Sequence, residues 1–344
     1  MTTGKGNWPG SRHANIAIFV PHAGCPHNCS FCDQRAISGT SSMPTPEDVR
    51  EICRNAALKM GRNASDAEIA FFGGSFTAIP LETMKSLLKA AALYVKDGPF
   101  SGIRVSTRPD SVDEHKLGIL KSYGVTAVEL GVQSMDDNVL KANGRGHTSG
   151  DVVRAAALIH ESGLQLGLQM MTGLYKSSDS ADIKTAQELA KLRPSTVRIY
   201  PTLVMEHTVL ARLYRAGVYK PQSLEHAVRS CARLLYFFES VNGISVIRLG
   251  LHADAKMQSS IVAGPWHPAF RELCEGTLYY EMALKKLRQE IPAGGSATLL
   301  VNPKAISRMV GHKRCNILRL ADAGYCVKVR GSPQVKPMNV KVNK

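Results

Sequence analysis

Gly24-Cys25-Pro26-His27-Asn28-Cys29-Ser30-Phe31-Cys32-Asp33 sets three cysteines at the spacing C-x3-C-x2-C inside one loop. Thiolates are the usual protein ligands of iron–sulfur centres, and spacing this close lets a single loop wrap one cluster. A [4Fe–4S] cube held by only three cysteines keeps one iron without a protein ligand, so a small molecule can bind there. Two plainer readings compete. Structural zinc closes with four nitrogen or sulfur ligands, and although His22 or His27 is available as a fourth, the paired C-x2-C modules of zinc sites are absent. Three unrelated buried thiols are the other. The iron–sulfur reading leads once the motifs downstream are counted.

Working outward, Asn15-Ile16-Ala17-Ile18-Phe19-Val20 is an apolar run rich in β-formers, read as a buried strand that delivers the chain into the cysteine loop. On the other side, Thr45-Pro46-Glu47-Asp48 combines an N-cap, a proline in the first turn and acidic residues at a helix start. The helix that follows carries Val49, Ile52, Cys53, Ala56 and Met60 on one face, which makes Cys53 a core residue rather than a ligand.

The same strand–helix unit then recurs. Ile69 to Phe72 reads as a strand running into Gly73-Gly74-Ser75, with Leu81, Met84, Leu87, Leu88 and Ala91 marking the next helix. Ile103 to Ser106 leads to Thr107-Arg108-Pro109-Asp110 and a helix from Asp113 to Ser122. Ala127 to Val132 precedes Gln133-Ser134. A helix over Ser149 to Glu161 and a strand over Leu164 to Gln169 follow, then a helix over Asp179 to Lys191 and a strand over Val197 to Tyr200. Six alternations predict an α/β fold with a parallel sheet and right-handed crossovers, a partial (βα)6 barrel of TIM type. Loops after the strands would converge on one mouth.

Beyond Pro201 the alternation weakens. Glu225 to Glu239 is helical with Val228, Cys231, Leu235 and Phe238 inward, and Ile244 to Leu249 reads as an extra strand. The expected organisation is a leader over 1–14, the barrel over 15–252 and a small basic α+β extension over 253–344. That extension holds a helix near Phe270 to Arg288 and a strand at Cys326 to Val329, and its last residues are expected to fray.

Composition narrows the function classes. A formal net charge of +15 on 344 residues points to a polyanionic partner, with RNA the leading candidate. Eight cysteines in a chain of this length do not make a disulfide scaffold, and a labile cluster needs a reducing compartment, hence the cytoplasm. Met1 to Arg12 lacks the basic-then-apolar order of a signal peptide, and no apolar run reaches membrane-spanning length. Cys274 adjoins Phe270 and Leu273 on a helix, which favours burial. A second cluster would need closely grouped ligands, which Cys315 with Cys326 alone does not provide.

The cysteine spacing resembles the signature of the radical S-adenosylmethionine (SAM) superfamily. The resemblance implies a [4Fe–4S] cluster on Cys25, Cys29 and Cys32, with SAM chelated to the open iron and reductively cleaved to a 5′-deoxyadenosyl radical by an electron from a flavodoxin- or ferredoxin-like donor. It places Phe31 near the adenine, the backbone of Gly73, Gly74 and Ser75 near the methionine amino group, and Ser106, Arg108, Glu129 and Gln169 along the cofactor. Gly131-Val132-Gln133-Ser134 followed by Gly144-Arg145-Gly146-His147-Thr148 is similar to a pattern shared by oxygen-independent coproporphyrinogen oxidases and the Elongator catalytic subunit. It implies Gln133 and Arg145 as cofactor contacts. Ser75 stands where the family more often has an acid, and no acid accompanies Gln169. From about Asn15 to Leu249 the chain most resembles the radical SAM domain of the Elongator subunit, without its acetyltransferase domain. Modification of tRNA or rRNA is the expected activity. The alternatives are a small anionic substrate such as a tetrapyrrole precursor, and a non-catalytic RNA- or ribosome-binding protein whose cluster senses redox state.

Overall fold

The computed structural model describes residues 14–21, 29–32 and 42–343. Cys25, His22, His27 and residues 1–13 of the expected leader lie outside the described residues. Strands β1 (Ala14–Val20), β2 (Ala67–Gly73), β3 (Gly102–Thr107), β4 (Val125–Gln133), β5 (Gln165–Thr172) and β6 (Thr196–Pro201) each lie beside their successor, all parallel. After the two-residue β7 (Val204–Met205), β8 (Ser245–Leu249) joins β6 in parallel as the seventh strand of the sheet. The sheet curls into a half-barrel, so the expected six units are present with one strand more.

Local chemistry explains the helices. Thr45 and Thr148 each form a capping box with the aspartate three residues on, which satisfies donors at the starts of Pro46–Met60 and Ser149–Glu161. Helix Leu81–Ala92 buries Met84, Leu87, Leu88, Ala90 and Ala91 against strand residues such as Ile69, Ile103 and Val105. Each fully buried leucine contributes about 1.5–3 kcal/mol. Cys53, Cys231 and Cys274 are all core residues, and burial pushes the Cys53 and Cys231 thiols up to about 12. One helix ends earlier than its periodicity predicts: Leu224–Tyr236 passes into a wide turn, Phe237–Val241. That turn keeps Phe238 buried while Glu239 accepts hydrogen bonds from Arg271 and the Val246 amide.

Helix Phe270–Glu290 bridges two cores. Phe270, Cys274 and Leu278 pack into the barrel core, and Tyr279, Ala283 and Leu287 into a second with Leu299, Val301, Met309, Leu320 and Val340. The second core lies under a three-stranded sheet. Following the short β9 (Ile261–Ala263), β10 (Ser296–Val301) runs parallel to β11 (Cys326–Gly331) and antiparallel to β12 (Val340–Asn343). The chain end expected to fray is thus corrected: Val340 is fully buried, and Val342 pairs with Leu299.

Candidate active site

In a parallel sheet every strand ends at the same rim, and hydrogen bonds link those ends to one another. At β2 the glycines are required by backbone contact with the neighbouring strand. Gly73 has φ +107, and a Cβ there would meet the Val20 carbonyl oxygen at 2.5 Å. Gly74 donates to that oxygen at 2.7 Å, and its own Cβ would lie 2.9 Å from the Pro21 oxygen. The glycine pair therefore presses the end of β1, just before the cysteine loop, onto β2. Ser75 is buried with its hydroxyl 2.8 Å from Thr107 Oγ1, and it accepts from the Arg108 amide at 3.2 Å.

Arg108 reaches across the rim. It grips Asp110 through Nε and Nη2, both at 2.9 Å, and also donates to the carbonyl of Arg145. The Arg108 guanidinium holds the Asp110 carboxyl below its usual range, against the opposing effect of burial. At β4 a register shift falls between Gly131 and Gln133, and Gln133 has φ +71, a conformation uncommon outside glycine. Bulges of this kind re-aim side chains beside active sites. Gln133 accepts from Gln169 Nε2 at 3.2 Å. Arg145 bridges the bulge and the cysteine loop: its Nη2 donates to the Gly131 carbonyl, and its Nη1 stands 3.1 Å from the Sγ of Cys29.

The second half of the cysteine loop is seated by residues that sequence reasoning missed. Ser30 donates from its amide to the Asn143 carbonyl at 2.9 Å and from its hydroxyl to Asn143 Oδ1 at 2.7 Å. Asn143 is fully buried and bonds the Val139 and Tyr175 carbonyls through Nδ2, while the Leu210 amide donates to Ser30 at 2.7 Å. An asparagine two residues before Arg145 was the available signal. Phe31 packs beside Val204, Leu210, Ala211 and Tyr219. Cys29 and Cys32 are each partly exposed, with the Cys32 amide bonded to the Cys29 carbonyl at 3.2 Å.

Below the rim, on the face of the sheet opposite the helices, lies a buried ionic network. Arg104 pairs with Glu68 at 2.7 Å and with Glu129 at 3.2 Å, and Glu129 pairs with Arg198 at 2.9 Å. Ser106 lies 3.5 Å from Glu129, and Arg198 sits over the Phe72 ring at 4.6 Å. Two carboxylates and two guanidiniums balance in charge, as burial demands. Glu68 and Arg104 also escaped the sequence reading, because alternation along a strand sets a charge on the face opposite its apolar neighbours and only the curl of the sheet encloses that face.

The donor set fits a cofactor carboxylate beside a metal cluster. Among the described residues, Arg108 Nη1, Arg145 Nε and Arg198 Nη2 are buried without a hydrogen-bond partner. Planar guanidinium donors suit a carboxylate; of these three arginines Arg145 touches Cys29, and Arg108 bonds the Arg145 carbonyl.

Comparison with known families agrees with this geometry. The radical SAM superfamily model matches residues 19–189, and the Radical_SAM C-terminal domain model matches residues 194–280. The chain belongs to the radical SAM superfamily, whose members use a [4Fe–4S] cluster and SAM. Within it the similarity runs to Elongator-type proteins. The chain is 28% identical over 254 residues to the tRNA uridine(34) acetyltransferase of Methanocaldococcus infernus, covering 62% of this chain and 48% of that protein. To human Elongator complex protein 3 it is 29% identical over 197 residues, covering 52% of this chain and 36% of that one. The chain spans about half the length or less of these relatives. Among solved structures, archaeal Methanocaldococcus infernus Elp3 with an N-terminal deletion superposes with a TM-score of 0.62 at 25% identity, covering 81% of this chain and 64% of that one.

Proposed function

We propose that this chain is a radical SAM enzyme that modifies RNA, with Cys25, Cys29 and Cys32 as the ligands of a [4Fe–4S] cluster. The reading is carried by one observation: Arg145, from the loop after β4, meets the sulfur of Cys29 at 3.1 Å while keeping a buried Nε–H unpartnered among the described residues. A cluster held by these cysteines would supply one electron, received from an external flavodoxin- or ferredoxin-like donor, for the reductive cleavage of SAM. The chain's own residues bind and orient. Arg145, with Arg108 behind it, offers N–H groups to the methionine carboxylate, and the backbone at Gly73, Gly74 and Ser75 faces its amino group. Ser106, Gln133 and Gln169 line the adenosine side, and Phe31 flanks the adenine. Glu129, which the family resemblance set along the cofactor, is buried and engaged by Arg104, Ser106 and Arg198, so its role is to hold those side chains in place.

RNA as substrate is supported by the net charge of +15 and by relatives named as tRNA uridine(34) acetyltransferases. We place tRNA or rRNA on the basic region 253–344 and the chemistry in the barrel, 15–252, in the cytoplasm. Anaerobic reconstitution with iron and sulfide, followed by dithionite reduction with SAM, should yield 5′-deoxyadenosine, and Cys29→Ala should abolish it. Nucleoside mass spectrometry of RNA from cells with and without the gene tests the substrate. Stoichiometric zinc without iron would refute the cluster, and an unchanged nucleoside profile would refute the RNA assignment.

A further inference from the structure

The second core supports a unit that the radical chemistry does not use. Strand β10 is followed by helix Ile306–Val310, the four-residue turn Gly311-His312-Lys313-Arg314, helix Cys315–Asp322 and then β11, which returns parallel to β10. The turn is sharply built. Gly311, Lys313 and Arg314 have φ of 80, 49 and 64, and the Arg314 amide donates to the Gly311 carbonyl at 3.0 Å. Only glycine fits at 311, because a Cβ would meet Cys315 Sγ at 2.7 Å and Asn316 Cγ at 2.9 Å. Asn316 anchors the turn to the long helix, donating from Nδ2 to the Gly276 carbonyl at 2.8 Å and to the Arg308 carbonyl at 3.1 Å.

This turn presents charge to solvent. His312, Lys313 and Arg314 are exposed, and among the described residues neither Lys313 nor Arg314 forms an ion pair. From Ser296 to Asn343 nine lysines and arginines face one acid, Asp322, so this stretch carries eight of the chain's fifteen net positive charges. Ile306 and Leu318, on the helices either side of the turn, are 37% and 60% exposed.

We propose that the Gly311–Arg314 turn is a clamp for the backbone of single-stranded RNA. A glycine-framed turn joining two helices against a three-stranded sheet is the device with which KH modules hold about four backbone nucleotides. Here the second glycine of such a turn is replaced by Arg314, whose φ of 64 keeps the left-handed backbone while adding a guanidinium for phosphate. Phosphates meet Lys313 and Arg314, and unstacked bases lie against Ile306 and Leu318. A duplex would keep its bases from those apolar side chains. The choice of RNA over DNA rests on the RNA-modifying reading above; the single-strand clamp does not.

The test uses the full reconstituted chain and a fluorescein-labelled single-stranded RNA of mixed sequence. Lys313→Asp with Arg314→Asp places residues that tolerate positive φ. It should weaken binding at least tenfold and make the log–log salt slope shallower by about 1.4, from two lost contacts on a single strand. Lys89→Asp with Lys96→Asp, exposed on the barrel's outer layer, removes the same charge and should weaken binding less than threefold. If the double aspartate variant melts early, Lys313→Asn with Arg314→Asn removes the charge alone and should still cost fivefold or more. Equal losses at the two sites, or unchanged binding at the turn, overturn the proposal. Tighter binding of duplex RNA, or of single-stranded DNA of the same sequence, overturns the ligand assignment. Formation of 5′-deoxyadenosine by the turn variant should equal that of the parent chain. Its absence in both, with RNA binding still lost at the turn, would sink the enzyme reading and leave the clamp standing.

Discussion

Arg145 Nη1 lies 3.1 Å from Cys29 Sγ, a contact between residues 116 positions apart that joins the loop after β4 to the loop after β1. A cation against a sulfur that carries negative charge as a metal ligand is a charge-assisted contact, stronger than a neutral one. The same guanidinium fixes the Gly131 carbonyl beside the β4 bulge, so one side chain ties the cysteine loop to the strand end that aims Gln133.

Arg145→Lys keeps the charge and loses the planar fork. Iron content after reconstitution should stay within about a quarter of the parent value, while 5′-deoxyadenosine formation falls roughly tenfold or more, the loss of one well-placed charged hydrogen bond. Iron loss matching that of Cys29→Ala would show instead that Arg145 only braces the loop.

The buried network makes Glu129→Gln costly. The substitution preserves shape but leaves Arg104 and Arg198 facing a neutral amide, and breaking a buried pair from one side costs about 3–5 kcal/mol. Urea unfolding should show a loss of stability of that size, read as a lower midpoint with an unchanged slope. A loss under 1 kcal/mol would mean that water reaches the network.

Gly73 and Gly61 make a matched pair, both at positive φ. Gly73→Ala drives a Cβ into the Val20 carbonyl oxygen at 2.5 Å and should separate the end of β1 from β2, whereas Gly61→Ala meets nothing within 4 Å. The Gly61 variant should lose about 1–3 kcal/mol, the cost of a backbone at φ 52 and ψ −126 that L residues rarely adopt, and the Gly73 variant clearly more, as read from thermal melts. Equal melting temperatures would contradict the close approach.

Two buried groups oppose each other in acid. Burial, with the Arg145 and Arg108 charges, lowers His147 from 6.5 to about 4, and burial raises Asp182 from 3.8 to about 6. The folded state prefers neutral His147, so its contribution is present above pH 6.5 and is lost as pH falls toward 4. It also prefers neutral Asp182, so that contribution is present below pH 3.8 and is lost as pH rises through 6. Each is worth about 3 kcal/mol, and between pH 4 and 6 they nearly cancel. Asp182→Asn should therefore uncover a steep loss of stability on acidification across that window, and His147→Gln the reverse slope. Parallel curves for the two variants would refute the assignment.

The half-barrel was readable along the chain because each strand–helix unit signals itself within about thirty residues, through apolar runs, caps such as Thr45 and amphipathic faces such as Leu81–Ala92. The cysteine spacing and the Gly-Gly turn are equally local. What local pattern does not encode is which side chains meet across the sheet. Pairing of Glu68, Arg104, Glu129 and Arg198 depends on the register of β2, β3, β4 and β6, and the seat that Asn143 makes for Ser30 depends on two loops folding onto each other. Strand Ser296–Val301 and the pairing of Val340–Asn343 with it likewise escaped notice, because a short strand burying alternate residues on a distant helix shows its partner only once the chain has folded back. Sequence by itself determined the repeating unit and the spacing of the cysteine loop, since both arise from neighbours in the chain. Tertiary structure alone decided the ionic network and the placing of Arg145 on Cys29, since long-range contacts are set by sheet register and loop closure rather than by any propensity of the residues involved.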